Sequence, residues 1–307
     1  MTVIKKVILI LGPTSVGKTE LILKLSTKFP IEVISCDSRQ IYRGMDIGTA
    51  KPDKSELNAV KHYLIDIKNP DESYSAADFM HDADTAYDSI IAANSIPILA
   101  GGTFLYAKVF LKGLVNAPLK NEFLRQKLYN DLKLKGSEYL YDELKKVDVK
   151  KALQLHPNDS VRIIRALEVC SQTKKVFSEL QEEHSFKSRE YSALKIILSL
   201  KRDILYERIN RRVENMFKEG LIDEVKNLVK NGYDEQTPSM NTIGYKEVTS
   251  YIKNELTVEQ AKEEIKKNSR HYAKRQITWL KKEEDAHWFF PEEVDGIINL
   301  FKNFLKQ

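Results

Sequence analysis

A phosphate-binding loop lies close to the start of the chain. Its sequence is GPTSVGKT, in which four residues separate Gly12 from Gly17, Lys18 and Thr19. In such a loop, successive backbone N–H groups and a helix N-terminus surround an anion, the lysine adds a positive charge, and the threonine hydroxyl can bind a magnesium ion. The motif specifies a phosphate chain but leaves open whether that chain belongs to a nucleotide. The predicted phosphate-binding residues are Gly12, Thr14, Ser15, Val16, Gly17, Lys18 and Thr19.

A second group of polar residues, DSRQ at 37–40, follows the apolar segment IEVISC. Asp37 comes directly after this predicted strand, at the edge of a parallel sheet where α/β proteins bind their ligands. A helix or turn cap is the structural alternative for its carboxylate, but the position favours a functional role. Asp66, after YLI, also lies near a predicted strand end and could bind the metal ion of a kinase.

Apolar segments alternate with a helical pattern in the first hundred residues. Strands are predicted at 7–11, 31–37, 62–67 and 96–103. The segment 74–94 has helical spacing, and Ser75 and Asp78 can cap its start. This alternation predicts an α/β fold, a P-loop NTPase-like parallel sheet flanked by helices.

The pattern changes after Gly113, where a long charged segment with helical spacing begins. A strand pattern returns at 194–200, in LKIILSL. We therefore predict a discontinuous core of residues 1–115 and 195–307, interrupted by an inserted all-helical domain of residues 116–194. Two further long helices are predicted at 204–232 and 257–282.

Composition restricts the class of protein. No apolar run approaches the ~20 residues that a membrane span needs, and the N-terminus leads directly into a strand-like run, so we expect neither a membrane partner nor a signal peptide. Cys36 and Cys170 lie far from any His/Cys cluster, which argues against a zinc site and a disulfide framework. We expect a cytoplasmic protein, because unpaired cysteines are typical of a reducing compartment.

Basic residues indicate a polyanionic partner. Residues 101–200 carry 18 basic and 12 acidic side chains, a net charge of +6, within a chain of net charge +5. Residues 265–282 contain seven basic residues and no acidic one, with His271, Tyr272 and Trp279 between them. A basic helix with aromatic residues is typical of nucleic-acid binding, and a solvated helix face is the structural alternative.

Nine segments together resemble a known family. They are GPTSVGKT, CDSRQIYRGMDIGTAKP, HYLIDI, YSAADF, LAGGTFLY, HPNDSVRIIRALEV, GLIDEV, IGYKE and YAKRQITW, in that order. The ordered set resembles the bacterial tRNA dimethylallyltransferases (tRNA isopentenyltransferases), which prenylate an adenosine beside the anticodon. The chain departs from the family pattern at Lys174, where a glycine is usual. The resemblance implies that the loop holds the diphosphate of dimethylallyl diphosphate and that the product is N6-dimethylallyladenosine at tRNA position 37.

The resemblance also implies roles for individual residues. Asp37 would accept the proton of the adenine N6 amine, Thr19 would be catalytic and bind the cofactor Mg²⁺, and Arg212 would contact the donor diphosphate. The partners would be dimethylallyl diphosphate and the tRNA anticodon stem-loop. The residues implied to contact tRNA are Asp37, Ser38, Arg39, Gln40, Thr103, Arg125, Arg162, Arg165, Gly244, Lys246, Arg270, Lys274 and Arg275.

Three other functions remain open at this point. An adenylate isopentenyltransferase would use the same donor with free AMP or ATP as acceptor, but it would need neither the insertion nor the basic helix. A small-molecule kinase would bind and hydrolyse ATP at the loop and would use Asp66 for its metal ion. A tRNA-binding protein without activity would leave the phosphate loop unexplained. We expect a monomer in each case.

Overall fold

The computed structural model describes residues 5–115, 117–173, 175–184, 189 and 191–306. Lys174, the departure from the family pattern, lies outside the described residues. The chain forms two compact units, Met1–Leu111 with Glu190–Gln307, and Lys112–Arg189. Within the described ranges, no helix is long and apolar enough to cross a membrane.

The first unit is built on a six-stranded sheet. Its strands are β1 (Lys5–Leu11), β2 (Ile31–Cys36), β3 (His62–Tyr63), β4 (Ile96–Gly101), β5 (Tyr191–Leu198) and β6 (Ala286–Phe289). Their order is β3-β2-β4-β1-β5-β6, and each neighbouring pair is parallel. The strand β5 pairs with every residue of β1. The chain therefore returns to the sheet after the inserted unit.

Helices flank this sheet and form the second unit. They are α1 (Lys18–Ser26), α2 (Lys54–Ala59), α3 (Ala76–Ala92), α4 (Phe104–Lys112), α5 (Glu122–Val147), α6 (Val149–Ala152), α7 (Ser160–Thr173), α8 (Phe177–His184), α9 (Arg202–Lys218), α10 (Leu221–Lys230), α11 (Tyr245–Ile252), α12 (Val258–Leu280) and α13 (Val294–Lys306). All residues of the β1 segment 7–11 are buried. Since successive strand side chains point to opposite faces, both faces of the sheet are covered. The predicted α/β fold is confirmed.

Two predicted elements are wrong in extent. The strand predicted at 62–67 is only two residues long, because Leu64 and Asp66 have φ values of +64° and +55°, which no strand accepts. The helix predicted at 204–232 is two helices, α9 and α10, which Gly220 separates with a φ of +101°. By contrast, the cap predicted for α3 is present, because Ser75 and Asp78 form a capping box.

Two apolar clusters hold the elements that surround the phosphate loop. In the first, Ile8 and Ile10 of β1 lie with Leu21 and Leu25 of α1, which fixes the strand and the helix on either side of the loop. In the second, Ile41 and Met45 contact residues of α9, α10 and α11, and this contact fixes the segment after β2. Burial of a Leu or Ile side chain contributes about 1.5–3 kcal/mol, so both loops start from rigid elements.

The second unit has a separate apolar core. Leu140 and Leu144 of α5 pack with Ile163, Ile164 and Leu167 of α7. The helix α5 is kinked at a glycine, residue 136, where the backbone is not helical. The regular elements of this unit are all helices in its described residues, and its surface exposes apolar side chains such as Leu119 and Phe123 beside the charged ones.

Candidate active site

A cavity of about 800 Å³ lies at the carboxyl edge of the sheet. The loops after β1, β2 and β4 line it, and α9 and α12 complete the wall. Lys18, Asp37 and Arg212 all line this cavity, although they are far apart in the sequence. They meet because the carboxyl ends of parallel strands lie at one edge of the sheet.

The phosphate loop carries groups that suit an anion. The Lys18 Nζ donates to the carbonyl oxygens of Gly12 and Pro13, at 3.0 and 2.9 Å, positions from which it can turn to a phosphate oxygen. Removal of this ammonium group from water lowers its pKa to about 8, although nearby Asp37 favours the charged form. The Ser15 Oγ is buried and has no hydrogen-bond partner among the described residues.

Thr14 is bound on both sides by protein groups. Its N–H donates to the Gln276 Oε1 at 2.9 Å, and its Oγ1 accepts from the Arg212 Nη1 at 2.9 Å. The prediction that the Thr14 amide faces the diphosphate is therefore corrected, because this N–H is already used. The amides of residues 15–19 are left to face an anion.

The arginines of α9 lie above the phosphate loop. Arg212 also donates from Nη2 to the Thr49 carbonyl at 3.3 Å, and Arg208 donates to the Val16 carbonyl at 3.4 Å. Burial lowers the pKa of Arg212, and the nearby Asp37 carboxylate opposes that shift. The Arg212 side chain is thus within contact of the loop, and its binding to diphosphate stays a prediction.

Asp37 uses its two carboxylate oxygens differently. The Oδ1 accepts the N–H groups of Arg39 and Gln40, at 2.8 and 3.4 Å, and so closes the turn after β2. The Oδ2 accepts no hydrogen bond from the part of the chain that the structure describes. The turn cap considered above is therefore present, and it leaves one oxygen in the cavity wall for chemistry.

Thr103 does not line the cavity, contrary to prediction. Its Oγ1 accepts the Ser38 N–H at 3.1 Å, and its own N–H donates to the Cys36 carbonyl at 3.0 Å. Thr103 therefore supports the Asp37 turn from behind. Ser38, Arg39 and Gln40, in contrast, do line the cavity.

The basic helix α12 reaches the cavity with only part of its length. Arg275 and Tyr272 line the wall, whereas Arg270 donates to the Asn210 Oδ1 at 2.7 Å and Lys274 is exposed elsewhere. Burial, followed by the proximity of Asp37, raises the pKa of Tyr272 to about 12, so this phenol stays neutral at physiological pH. Of the two residues predicted on the NTIGYKE segment, Gly244 lines the cavity and Lys246 does not.

The family model described as IPP transferase matches residues 40–283 of the chain. This span covers far more than half of the sequence and includes α9 and α12, and it begins at the last residue of the turn after β2. The chain belongs to the IPP transferase family.

Individual relatives match nearly the whole length of the chain. It is similar to a tRNA dimethylallyltransferase of Geobacter sulfurreducens, with 43% identity over 97% of this chain and 96% of the relative. A tRNA dimethylallyltransferase of Halothermothrix orenii is 44% identical over 92% of this chain and 86% of the relative.

Solved structures agree in fold. The full-length tRNA isopentenylpyrophosphate transferase of Bacillus halodurans has a TM-score of 0.73 and 39% identity, over 98% of this chain and 97% of that chain. A eukaryotic dimethylallyltransferase acting on tRNA has a TM-score of 0.79 and 29% identity, over 95% of this chain and 75% of that chain.

Asp66 lies outside the cavity. Its carboxylate binds the Lys51 Nζ at 2.5 Å, and the same lysine binds Asp46 and the Tyr42 carbonyl. The carboxylate that a kinase would need for its metal ion is therefore used in a structural ion pair. In the described ranges, no group of three or more His, Cys, Asp and Glu side chains could hold a metal ion.

The arginines of the second unit have partners within that unit. Arg125 binds the fully buried Glu168 carboxylate through Nε at 2.9 Å and Nη2 at 3.1 Å, and Arg165 binds it through Nη1 at 2.5 Å. Burial by itself raises the pKa of Glu168, but these hydrogen bonds outweigh it and lower the pKa. Arg162 is exposed and pairs with Asp159 at 2.8 Å. Contact of all three arginines with tRNA stays a prediction.

The acid-free window of α12 is less basic than its sequence indicates. Lys266 binds Glu214 of α9 and Glu263, each at 2.7 Å, and Lys267 binds Glu264 at 3.1 Å. These acidic partners lie just outside residues 265–282 or on another helix. The sequence window began at residue 265 and so left out Glu263 and Glu264. It also could not show Glu214, which belongs to another helix.

Two residues of the site were missed by sequence reasoning. Gln276 bridges two loops, and Glu224 accepts three successive N–H groups of residues 46–48 at 3.0, 2.8 and 3.2 Å as well as the Tyr245 hydroxyl at 2.6 Å. Gln276 lies in the family segment YAKRQITW, and Glu224 lies in GLIDEV. Their place in these segments was the one sequence signal of a role at the site. Neither residue type indicates the contact, because both look like polar helix surface.

Proposed function

We propose that this protein transfers a dimethylallyl group from dimethylallyl diphosphate to N6 of adenosine 37, beside the anticodon of tRNA, and releases diphosphate. The observation that carries this proposal is that the phosphate loop and the Asp37 carboxylate line one cavity. Membership of the IPP transferase family supports it. The protein would act on tRNA as a monomer in the cytoplasm.

The donor side of the cavity suits a leaving diphosphate. As the allylic C–O bond breaks, negative charge grows on the diphosphate oxygen. Lys18, Arg212 and the amides of residues 15–19 offer positive charge and N–H donors at this point, and they are in position before the reaction. Such preorganised groups are worth most where charge develops, about 3–4 kcal/mol for one donor.

The acceptor side needs a base. The lone pair of the adenine N6 amine is delocalised into the ring, so the amine is a weak nucleophile until its proton leaves. The Asp37 Oδ2 can accept this proton while Oδ1 keeps the carboxylate oriented through Arg39 and Gln40. General-base catalysis of this kind contributes about 10²–10⁴-fold in rate.

The residues of the loop fit Mg²⁺. Thr19 lines the cavity, and the Ser15 Oγ is a buried oxygen without a partner among the described residues. Mg²⁺ keeps several waters and is usually bound through one or two protein groups and the substrate phosphates. Thr19 would hold the ion, which would supply further neutralisation of the diphosphate charge.

The acceptor adenosine must leave its stack to reach Asp37. Flipping a nucleotide out of a loop costs a few kcal/mol, which contacts in the cavity offset. Arg39, Tyr272 and Arg275 line the cavity and would contact the flipped nucleotide and its neighbours. The remaining tRNA contacts that we propose are at Ser38, Gln40, Gly244, Lys246, Arg270 and Lys274, with Arg125, Arg162 and Arg165 on the helical unit 116–194 and Thr103 acting from behind.

The experiment supplies labelled dimethylallyl diphosphate and Mg²⁺ to the purified protein, with unmodified tRNA, AMP or ATP in separate reactions. We expect label in tRNA alone. Label in AMP or ATP would instead indicate an adenylate isopentenyltransferase. Consumption of ATP without transfer of label would indicate a kinase, which the Lys51–Asp66 ion pair disfavours.

A further inference from the structure

The side chain of Gln276 joins two loops of the cavity. It lies on α12 and is only 4% exposed. Its Oε1 accepts the Thr14 N–H at 2.9 Å, and its Nε2 donates to the Gly102 carbonyl oxygen at 2.9 Å. One buried amide therefore binds both the loop after β1 and the loop after β4.

Only a side chain with both a donor and an acceptor can make these two bonds. The Thr14 N–H can only donate and the Gly102 carbonyl can only accept, so the neighbours fix the orientation of the amide. Gly102 leaves room for it, since a Cβ at this position would lie 2.3 Å from the Gln276 Nε2. A glutamate would keep the first bond but would present a second acceptor to the Gly102 carbonyl.

The two loops carry the two halves of the reaction. Thr14 belongs to the loop that we assign to the donor diphosphate. Gly102 precedes Thr103, whose Oγ1 accepts the N–H of the residue after Asp37 at 3.1 Å. A chain of hydrogen bonds thus runs from the donor loop through Gln276 and the Gly102–Thr103 backbone to the turn that holds the base.

We propose that Gln276 is a positioning residue that fixes the separation between the donor diphosphate and the Asp37 carboxylate. It rests on the function proposed above, because that function assigns the loop and Asp37 their roles. The allylic carbon and the amine must approach closely and in line, and a displacement of about 1 Å costs up to about 10²-fold in rate. Loss of the bridge therefore lowers kcat, whereas each substrate keeps its own binding groups.

The test compares Gln276→Met, which removes both hydrogen bonds at similar volume, with Gln276→Glu, which keeps the bond from Thr14. Gln260→Met is the matched control, because Gln260 lies on the same helix and caps its start by accepting the Thr257 N–H. Steady-state and single-turnover transfer to tRNA are measured with Tm. We expect kcat of Gln276→Met to fall about 10- to 100-fold, with KM for donor and tRNA within about threefold. Gln276→Glu also loses kcat, and Gln260→Met loses Tm but not kcat.

Three results would overturn the positioning role. The first is a kcat for both Gln276 variants within about twofold of the native value. The second is a rise in both KM values at unchanged kcat, which would make Gln276 a binding residue. The third is a fall in single-turnover amplitude at an unchanged rate constant, which would mean that part of the protein is unfolded. If the native protein itself transfers no label, the proposed function fails first.

Discussion

At the scale of single residues, the Asp37 carboxylate closes a turn and still leaves one oxygen for the base role proposed above. One oxygen closes a turn through two N–H groups, and the other faces the cavity. The two readings of this carboxylate that the sequence left open, a turn cap and a base, are therefore compatible. The turn orients the free oxygen, so a reaction does not have to order it.

Asp37→Asn isolates the chemical task. The asparagine Oδ1 can still accept the N–H groups of Arg39 and Gln40, so the turn persists while the basic oxygen is lost. We expect kcat to fall about 10²–10⁴-fold with tRNA affinity within about threefold, measured by single-turnover transfer and filter binding. Asp66→Asn, outside the cavity, is the control and keeps native turnover. Equal losses of turnover and tRNA affinity would remove Asp37 from the base role.

We expect the proposed binding of the donor to depend on pH through Lys18. Its pKa is about 8 because the protein removes the ammonium group from water, so the side chain is charged below this pH and neutral above it. The diphosphate needs the charged form, so we expect the Kd for dimethylallyl diphosphate to rise above about pH 8, by up to about tenfold per pH unit.

The control for this pH dependence is Lys18→Arg, because a guanidinium keeps its charge throughout this range. We expect the Kd of Lys18→Arg for dimethylallyl diphosphate to differ from the native Kd, but not to change between about pH 7 and 10. Calorimetric titration of both proteins across this range measures the two profiles. Parallel profiles would show that Lys18 is not the titrating group.

At the scale of elements, α10 anchors the segment after β2 through one carboxylate. The Glu224 oxygens accept the N–H groups of residues 46–48 and the Tyr245 hydroxyl. Three successive N–H groups around one anion make a tight backbone turn, and here the anion is part of the protein. This contact holds the segment GTAK, residues 48–51. Arg212 donates to the Thr49 carbonyl of this segment, and Gln40 donates to the Ala50 carbonyl.

Glu224→Gln tests this anchor. The amide nitrogen would face N–H donors instead of accepting from them, so we expect a loss of about 1–3 kcal/mol in the free energy of unfolding. Asp223→Asn is the matched control, since it removes the same charge from the first turn of α10 without the three N–H contacts. Denaturant unfolding measures both variants. If Glu224→Gln loses no more free energy of unfolding than Asp223→Asn, then Glu224 contributes only through its charge at the start of α10.

At the scale of the whole molecule, the second unit is rich in basic side chains, but several of them pair with acidic side chains of the same unit. Arg125 and Arg165 enclose Glu168, whose carboxylate has no contact with water. Among the described residues, the exposed Arg162 pairs with the half-buried Asp159 alone, and such a pair near the surface is worth about 0–1 kcal/mol. Arg162 is therefore the member of this group that can exchange its partner for a phosphate at little cost.

Arg162→Gln and Arg165→Gln separate these roles. We expect Arg162→Gln to reduce the slope of log Kd for tRNA against log salt by about one and to leave Tm native. Arg165→Gln should instead lower the free energy of unfolding by about 1–3 kcal/mol, because a buried carboxylate loses a charged donor. An unchanged salt slope for Arg162→Gln would mean that Arg162 is a solvated surface residue and does not contact a phosphate of tRNA.

The sequence by itself determined the chemistry that depends on neighbouring residues. The phosphate loop, the alternation of strands and helices and the cap of α3 follow from patterns of a few adjacent positions, because short-range sterics and N–H groups fix those conformations. The ordered family segments added the donor and the acceptor. Element ends were less predictable: the residue types Leu64 and Asp66 do not indicate the positive φ values that end β3, and a single glycine, Gly220, does not by itself show that a helical pattern is broken.

Only the tertiary structure decided which groups are used and which are free. Gln276 meets Thr14 across 262 residues, Asp66 is occupied by Lys51, and the lysines of α12 find acidic partners outside their own window. A hydrogen bond or ion pair forms wherever packing brings two groups within about 3 Å, and spacing along the chain does not report that distance. The sequence thus supplied the phosphate loop and Asp37, the groups of the proposed diphosphate site and base, and packing set the contacts that hold them together.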